Sequence, residues 1–183
     1  MDIQFFLEVI GFITLLGSVY YAAKESNKVW SIGIISCISF GVLFLNEGLY
    51  GLAILQGVFI IQSIYGWYNW SKDDVFGLPV NKLGMRRFSG QFIFAACVAI
   101  LVVMKTDLIP LDVIITCLSL LATWFLAKKY LEAWYVWILV DILSIYLFYC
   151  TELYVISGLH IIVLGLAING FIKWKKSLKT HWS

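Results

Sequence analysis

Charged side chains are scarce in this chain of 183 residues: they make up 13% of it, where an average soluble domain has roughly 25%. Hydrophobic residues make up 62%, and the mean hydropathy is +0.92. Only two prolines and two histidines occur, and the four cysteines stand singly, without a C-x-x-C pair. Neither a disulfide framework nor a metal site is indicated. The composition excludes a soluble domain and predicts a membrane protein, with no cofactor and no nucleic-acid partner.

The apolar residues gather in seven runs, each about long enough for a helix to cross the hydrocarbon core of a bilayer. Continuous rather than alternating hydrophobicity favours helices over a β-barrel. The first run begins without a basic segment or a small-residue cleavage pattern, so we expect it to be a retained span. The predicted fold class is an all-α membrane protein with seven transmembrane helices, near residues 3–23, 29–46, 48–70, 89–106, 110–128, 130–150 and 152–173.

An internal repeat appears when the chain is aligned with itself at an offset of 104 residues, which places residues 16–72 over 120–176. Fifteen of these 57 pairs are identical, and the identities fall on tryptophan, glycine and lysine as well as on leucine and isoleucine. We therefore predict a parallel 3+1+3 duplication. Its parts are a first three-helix repeat, a cytoplasmic loop with a linking helix, and a second repeat with a cytoplasmic tail, over residues 1–72, 73–109 and 110–183.

Basic residues fall on one side of this topology. With seven spans, the loops near residues 24–28, 71–88 and 128–129 and the tail after Phe171 share a side, and they carry 12 of the 13 Lys and Arg residues. The positive-inside rule places that side in the cytoplasm. We expect a multi-pass membrane protein with its N-terminus outside and its C-terminus in the cytoplasm.

The sixth span holds a polar stripe, Trp134-x-x-Trp137-x-x-x-Asp141-x-x-Ser144, whose steps of three and four place these residues on one helical face. A charged side chain near the middle of a span usually faces a bundle interior or a ligand cavity. Indole faces attract cations and stack on planar rings, and a carboxylate beside them neutralises a positive ligand. Interfacial tryptophans and a helix-to-helix hydrogen bond are the alternative interpretation. We predict that Trp134, Trp137 and Asp141, with Ser144 in a lesser role, bind substrate.

Polar residues of the third and seventh spans are further candidates. Gln56, Gln62 and Tyr65 lie in the third span, and His160 lies in the seventh. Buried amides commonly serve as hydrogen-bonding contacts between membrane helices, and a single histidine is usually a packed one. We predict substrate binding for Gln56 and a weaker contribution from the other three.

The residues now support a resemblance. The block Gln56-x8-Tyr65-Gly66-Trp67-Tyr68-x-Trp70, the Trp-x-x-Trp-x-x-x-Asp motif and the 3+1+3 repeat together resemble the PnuC family of bacterial vitamin-precursor transporters over nearly the whole chain. The resemblance implies a SWEET-like fold and a homotrimer. It also implies facilitated diffusion of nicotinamide riboside across the bacterial inner membrane, through a site between the halves.

The resemblance leaves a second substrate open. In the nicotinamide riboside branch the motif commonly ends in Asn, whereas this chain has Asp141. The stretch 122–129 is similar to the thiamine-transporting PnuT branch. Nicotinamide riboside and thiamine are both cations with planar heteroaromatic rings, so the tryptophans and the carboxylate suit either.

The expected mechanism is alternating access without ATP, because the sequence has no G-x-x-x-x-G-K-[ST] loop. Accumulation of substrate would then depend on a cytoplasmic vitamin kinase. An intramembrane enzyme is not expected, because Asp141 has no second carboxylate or close-set histidine in the sequence. A seven-helix receptor or a structural membrane subunit is the remaining alternative.

Overall fold

The computed structural model of the protein describes residues 3–72, 79–105 and 110–180. Within these residues the chain forms seven helices that are long and apolar enough to cross a membrane. They are α1 (Ile3–Ala23), α2 (Lys28–Asn46), α3 (Tyr50–Trp70), α4 (Met85–Lys105), α5 (Pro110–Ala127), α6 (Glu132–Cys150) and α7 (Tyr154–Thr180). The prediction of an all-α fold with seven transmembrane helices is confirmed.

Two helices are longer than their apolar runs. Helix α4 begins at Met85 rather than near residue 89, so Arg86 and Arg87 lie in its first turn instead of in a loop. Helix α7 continues to Thr180 instead of ending near residue 173. Lysine is a good helix former, so the helix continues where the hydropathy falls. Helices α4 and α7 therefore extend beyond the ends predicted from hydropathy.

The chain divides into two compact units, residues 1–78 and 79–183. In the first unit α1 packs on α2 and α2 on α3. In the second, α4 packs on α5, α5 on α6, and α6 on α7, so the predicted linking helix is part of the second unit. Residues 73–78 and 106–109 of the predicted linking segment lie outside the described residues.

Residues paired by the 104-residue offset share backbone conformations within the two units. Helices α1 and α5 are each followed, two positions after their last residue, by a left-handed residue, Glu25 (φ 56°) and Lys129 (φ 52°). Helices α2 and α6 are followed by Gly48 (φ 73°) and Glu152 (φ 62°). At each turn the amide after the left-handed residue donates to a carbonyl five residues back, at 2.8–3.0 Å. This is a Schellman motif, which satisfies the last carbonyls of a helix.

A tryptophan packs against a glycine in each unit. The indole of Trp30 lies where a Cβ atom on Gly66 would be, and the indole of Trp134 occupies the same space at Gly170. Each indole also meets a second tryptophan edge to face, Trp30 with Trp70 at 5.2 Å and Trp134 with Trp174 at 5.4 Å between ring centroids. The glycines therefore allow the neighbouring helices to approach closely.

Lysines at the ends of the helices lie over aromatic rings. The Lys24 ammonium is 4.4 Å from the centroid of Tyr20, and its offset counterpart Lys128 is 4.3 Å from the centroid of Trp124. The hydrogen bond with Tyr20 raises the pKa of Lys24, so its positive charge is retained well above neutral pH. Aromatic rings and lysines at helix ends are typical of the membrane interface.

The segment that leads into α4 is held to the turn between α5 and α6. The Asn81 amide donates to the Lys129 carbonyl at 3.0 Å, and the Leu131 amide donates to the Asn81 carbonyl at 2.9 Å. The Glu132 carboxylate accepts from the Leu83 amide at 3.0 Å, and Val80 is fully buried. Backbone hydrogen bonds and the Glu132 side chain therefore hold residues 79–84, which have no regular secondary structure, in place.

We expect Gly170→Ala to lower the free energy of unfolding by about 1–3 kcal/mol, because its methyl group would overlap the Trp134 ring. Thermal unfolding in detergent measures this. Gly165→Ala is the matched control in the same helix, since nothing lies within 4 Å of a Cβ atom there. Equal losses of stability in the two variants would contradict the packing described for Gly170.

We expect Glu132→Ala to lower the stability of the segment around Leu83 by about 1–3 kcal/mol, because a buried amide loses its acceptor. Faster hydrogen exchange of the amides of residues 80–84 would report this. Glu132→Gln keeps a carbonyl oxygen and serves as the control. Unchanged exchange in the alanine variant would show that the carboxylate does not hold the segment.

Candidate functional site

Helices α6 and α7 form a hairpin that brings Asp141 against His160. The Nδ1 atom of His160 lies 3.0 Å from the Oδ1 atom of Asp141. The Asp141 side chain is 1% exposed, whereas the His160 side chain is 21% exposed. The structure therefore brings Asp141, the strongest site candidate from the sequence, into contact with His160, one of the weaker candidates.

Among the described residues, only one of the two Asp141 oxygens has a hydrogen-bond partner. The Oδ2 atom is buried and makes no hydrogen bond within the part of the chain that the structure describes. Nearly all buried polar atoms in proteins are hydrogen-bonded, and an exception usually marks a functional group, a bound water or an ion. The second oxygen leaves Asp141 incompletely satisfied by protein.

An aromatic ring fixes the orientation of His160. Phe148 stacks on the imidazole with 5.5 Å between ring centroids and 18° between planes. Phe148 continues the stripe of α6, since it follows Ser144 by four residues as Asp141 follows Trp137. Sequence reasoning missed Phe148, although the same step of four identifies it. Ser144 itself is 1% exposed on this face.

The two tryptophans of the stripe lie in different surroundings. Trp134 is 1% exposed and is enclosed by Gly170 and Trp174. Its offset counterpart Trp30 has the same packing in the first unit. Trp137, one turn from Asp141, is half-buried. Its indole is therefore the more accessible of the two, and substrate contact by either stays a prediction.

The candidates of the first unit lie on α3. Gln56, Gln62 and Tyr65 are each half-buried. Gln56 is the offset counterpart of His160 and packs near Gly41 of α2, where an added Cβ atom would be 3.6 Å from the glutamine Cβ. Substrate binding by these three residues stays a prediction.

Residues 3–72, 79–105 and 110–180 contain no cluster of side chains that could bind a metal ion. Three or more His, Cys, Asp or Glu side chains do not come together anywhere in these ranges. The chemistry that the α6–α7 pair offers is hydrogen bonding and charge. A buried carboxylate that is hydrogen-bonded to one imidazole suits a cationic ligand with hydrogen-bond donors.

The model of one protein family, described as nicotinamide mononucleotide transporter, matches residues 5–176. The chain belongs to this family. Its resemblance to PnuC transporters, drawn above from residues 56–70 and 134–141, is confirmed.

Two relatives and one solved structure are similar over nearly the whole chain. The nicotinamide riboside transporters PnuC of Escherichia coli (strain K12) and Shigella flexneri are each 26% identical over 210 residues, covering 97% of this chain and 88% of theirs. A structure titled "Crystal structure of the Vitamin B3 transporter PnuC" matches with a TM-score of 0.79 and 20% identity, covering 96% of this chain and 83% of that one. The chain is thus a multi-pass transporter of the inner membrane.

We expect Asp141 and His160 to be energetically coupled. In a double-mutant cycle of Asp141→Ala and His160→Ala, followed by thermal unfolding in detergent, the coupling should be about 1.5–3 kcal/mol, because one partner is a buried carboxylate.

The matched control cycle uses their offset counterparts, Cys37→Ala and Gln56→Ala. No hydrogen bond joins those two side chains in the described part of the first unit, so their effects should add within about 0.5 kcal/mol. Additive effects at Asp141 and His160 as well would show that their contact contributes nothing to stability.

Proposed function

We propose that the protein takes up nicotinamide riboside by facilitated diffusion. The observation that carries the proposal is the buried Asp141 carboxylate, which has His160 as a partner on one oxygen and none on the other in the described residues. A pyridinium cation would balance this carboxylate, and its ring would suit the half-buried Trp137. The names of the two bacterial relatives support the same substrate.

The charge near the site favours a nucleoside over a nucleotide. A phosphate group is usually bound by Arg, Lys or helix N-termini. In the described part of α4–α7 the Lys and Arg residues lie near helix ends and in the α5–α6 turn, far along the chain from the middle of α6. The Asp141 carboxylate would repel a phosphate placed beside it. The riboside therefore fits these residues better than the mononucleotide in the family's description.

Thiamine is the second candidate substrate. Its thiazolium ring is cationic and its aminopyrimidine ring carries an amine that could donate to an acceptor of the site. Asp141 at the end of the tryptophan motif and the stretch 122–129 favour it. We rank it second because the curated relatives carry the nicotinamide riboside name.

The mechanism that we propose is alternating access of the two three-helix repeats, without ATP or a coupled ion. We further propose an external N-terminus, a cytoplasmic C-terminus and a homotrimeric assembly. A cytoplasmic kinase would retain the vitamin by adding a phosphate, because the phosphorylated product would not suit an acidic site. Trp134, Trp137, Asp141 and Gln56 remain the proposed substrate-binding residues, with Gln62, His160, Tyr65 and Ser144 as further contributors.

Uptake by liposomes that contain the purified protein tests the proposal. We expect saturable entry of labelled nicotinamide riboside without ATP, competition by excess unlabelled riboside, and no competition by nicotinamide mononucleotide. Asp141→Leu should lower the uptake rate about ten-fold or more, because a charge-assisted interaction is lost. Cys37→Leu places the same side chain at the offset counterpart of Asp141 and is the control.

Labelled thiamine is assayed in parallel. Entry of thiamine without entry of the riboside would make thiamine the substrate. Equal losses in the Asp141 and Cys37 variants would remove Asp141 from the site. No entry of either compound would overturn the proposed function.

A further inference from the structure

Asp141 of α6 and His160 of α7 differ in how accessible their side chains are. Asp141 is 1% exposed, and neither of its oxygens is open to the surroundings of the chain, whereas His160 is 21% exposed. A ligand that approaches this pair meets the imidazole first. Asp141, the residue with the strongest sequence signal, is thus the less accessible of the two.

The hydrogen bond between the two side chains couples the proton position on the imidazole to the charge of Asp141. When the Asp141 carboxylate is ionised it only accepts hydrogen bonds, and the Nδ1–H group of His160 is then the donor across the 3.0 Å contact. In a neutral imidazole the Nε2 atom then carries a lone pair. Phe148, stacked at 5.5 Å and 18°, holds the ring in its plane. The pair therefore presents an oriented acceptor.

We infer that His160 contacts the substrate directly, with its Nε2 atom accepting a hydrogen bond from an N–H or O–H group. Asp141, counted above among the substrate-binding residues, then contributes its charge and acts through this imidazole as a positioning residue. This inference rests on the proposed function and names the group that recognises the substrate.

The charge of the pair agrees with a cationic substrate. With a neutral imidazole, the pair carries one negative charge, which a pyridinium or thiazolium would balance at short range. A doubly protonated imidazole would cancel that charge and place a second cation beside the substrate. The ligand class is therefore a planar cation that carries a donor, such as a carboxamide, an aminopyrimidine amine or a ribose hydroxyl.

Nitrogen NMR of the histidines tests the inference in the full-length protein. The chain has only two histidines, so in His181→Gln both ring-nitrogen resonances of a ¹⁵N-histidine sample come from His160. Without ligand we expect one protonated nitrogen and one unprotonated nitrogen. Saturating nicotinamide riboside, or thiamine if only thiamine binds, should shift the unprotonated Nε2 resonance and leave Nδ1 protonated.

Two variants separate positioning from a structural role. Asp141→Asn should leave a mixture of the two neutral tautomers, because an amide can either donate to Nδ1 or accept from it. His160→Phe should weaken binding about ten-fold or more, since it keeps a ring for Phe148 but removes the acceptor. Ser157→Ala is the control: it removes a buried hydroxyl of α7, which donates to Ile145, and should leave binding and the His160 signal unchanged.

The outcomes are distinguishable by a parallel calorimetric titration of the unsubstituted protein. Binding with an unchanged Nε2 resonance would overturn the inference and leave the proposed function intact. A doubly protonated imidazole in the bound state would also overturn it. The absence of binding by either vitamin would overturn the proposed function and, with it, this inference.

Discussion

Close packing of tryptophan against glycine is the constraint on which each unit depends. Trp30 fills the space at Gly66, and Trp134 fills the space at Gly170, so each ring sets how closely its helix approaches the next. In a bilayer, association of helices relies on such packing because lipid is as apolar as the side chains. In the second unit this packing joins α6 to α7, the same two helices that carry the contact between Asp141 and His160.

The buried carboxylate is costly in the same environment. A charged group at the centre of a span costs roughly 2.5–3.5 kcal/mol on insertion scales. Its partner His160 offsets part of that cost through one oxygen, and no described residue satisfies the other. A scaffold held by rigid aromatic packing can maintain such a group. The stable part of the fold and the polar pair that we assign to transport therefore lie on the same two helices.

More of the fold than of the site could be predicted from the sequence. Apolar runs locate the seven helices. Hydropathy does not show where α7 ends, because lysine has a high helix propensity and the helix continues through the lysines at its end. The stripe of α6 identifies one face. It does not distinguish Trp134 from Trp137, because that difference arises from Gly170 on another helix. The contact of Asp141 with His160 likewise depends on the register of a hairpin, which single-helix periodicity does not contain.

The two units agree at positions of close packing and differ at the positions of the polar pair. The offset pairs Trp30/Trp134, Trp70/Trp174 and Gly66/Gly170 are identical, and the left-handed turns recur at the same offset. At the positions of Asp141 and His160 the first unit has Cys37 and Gln56, which preserve the polarity only in part. If both positions served only to hold helices together, equivalent packing would favour equivalent residues. An ionisable pair in one unit alone instead suits an asymmetric ligand that needs its charge balanced on one side.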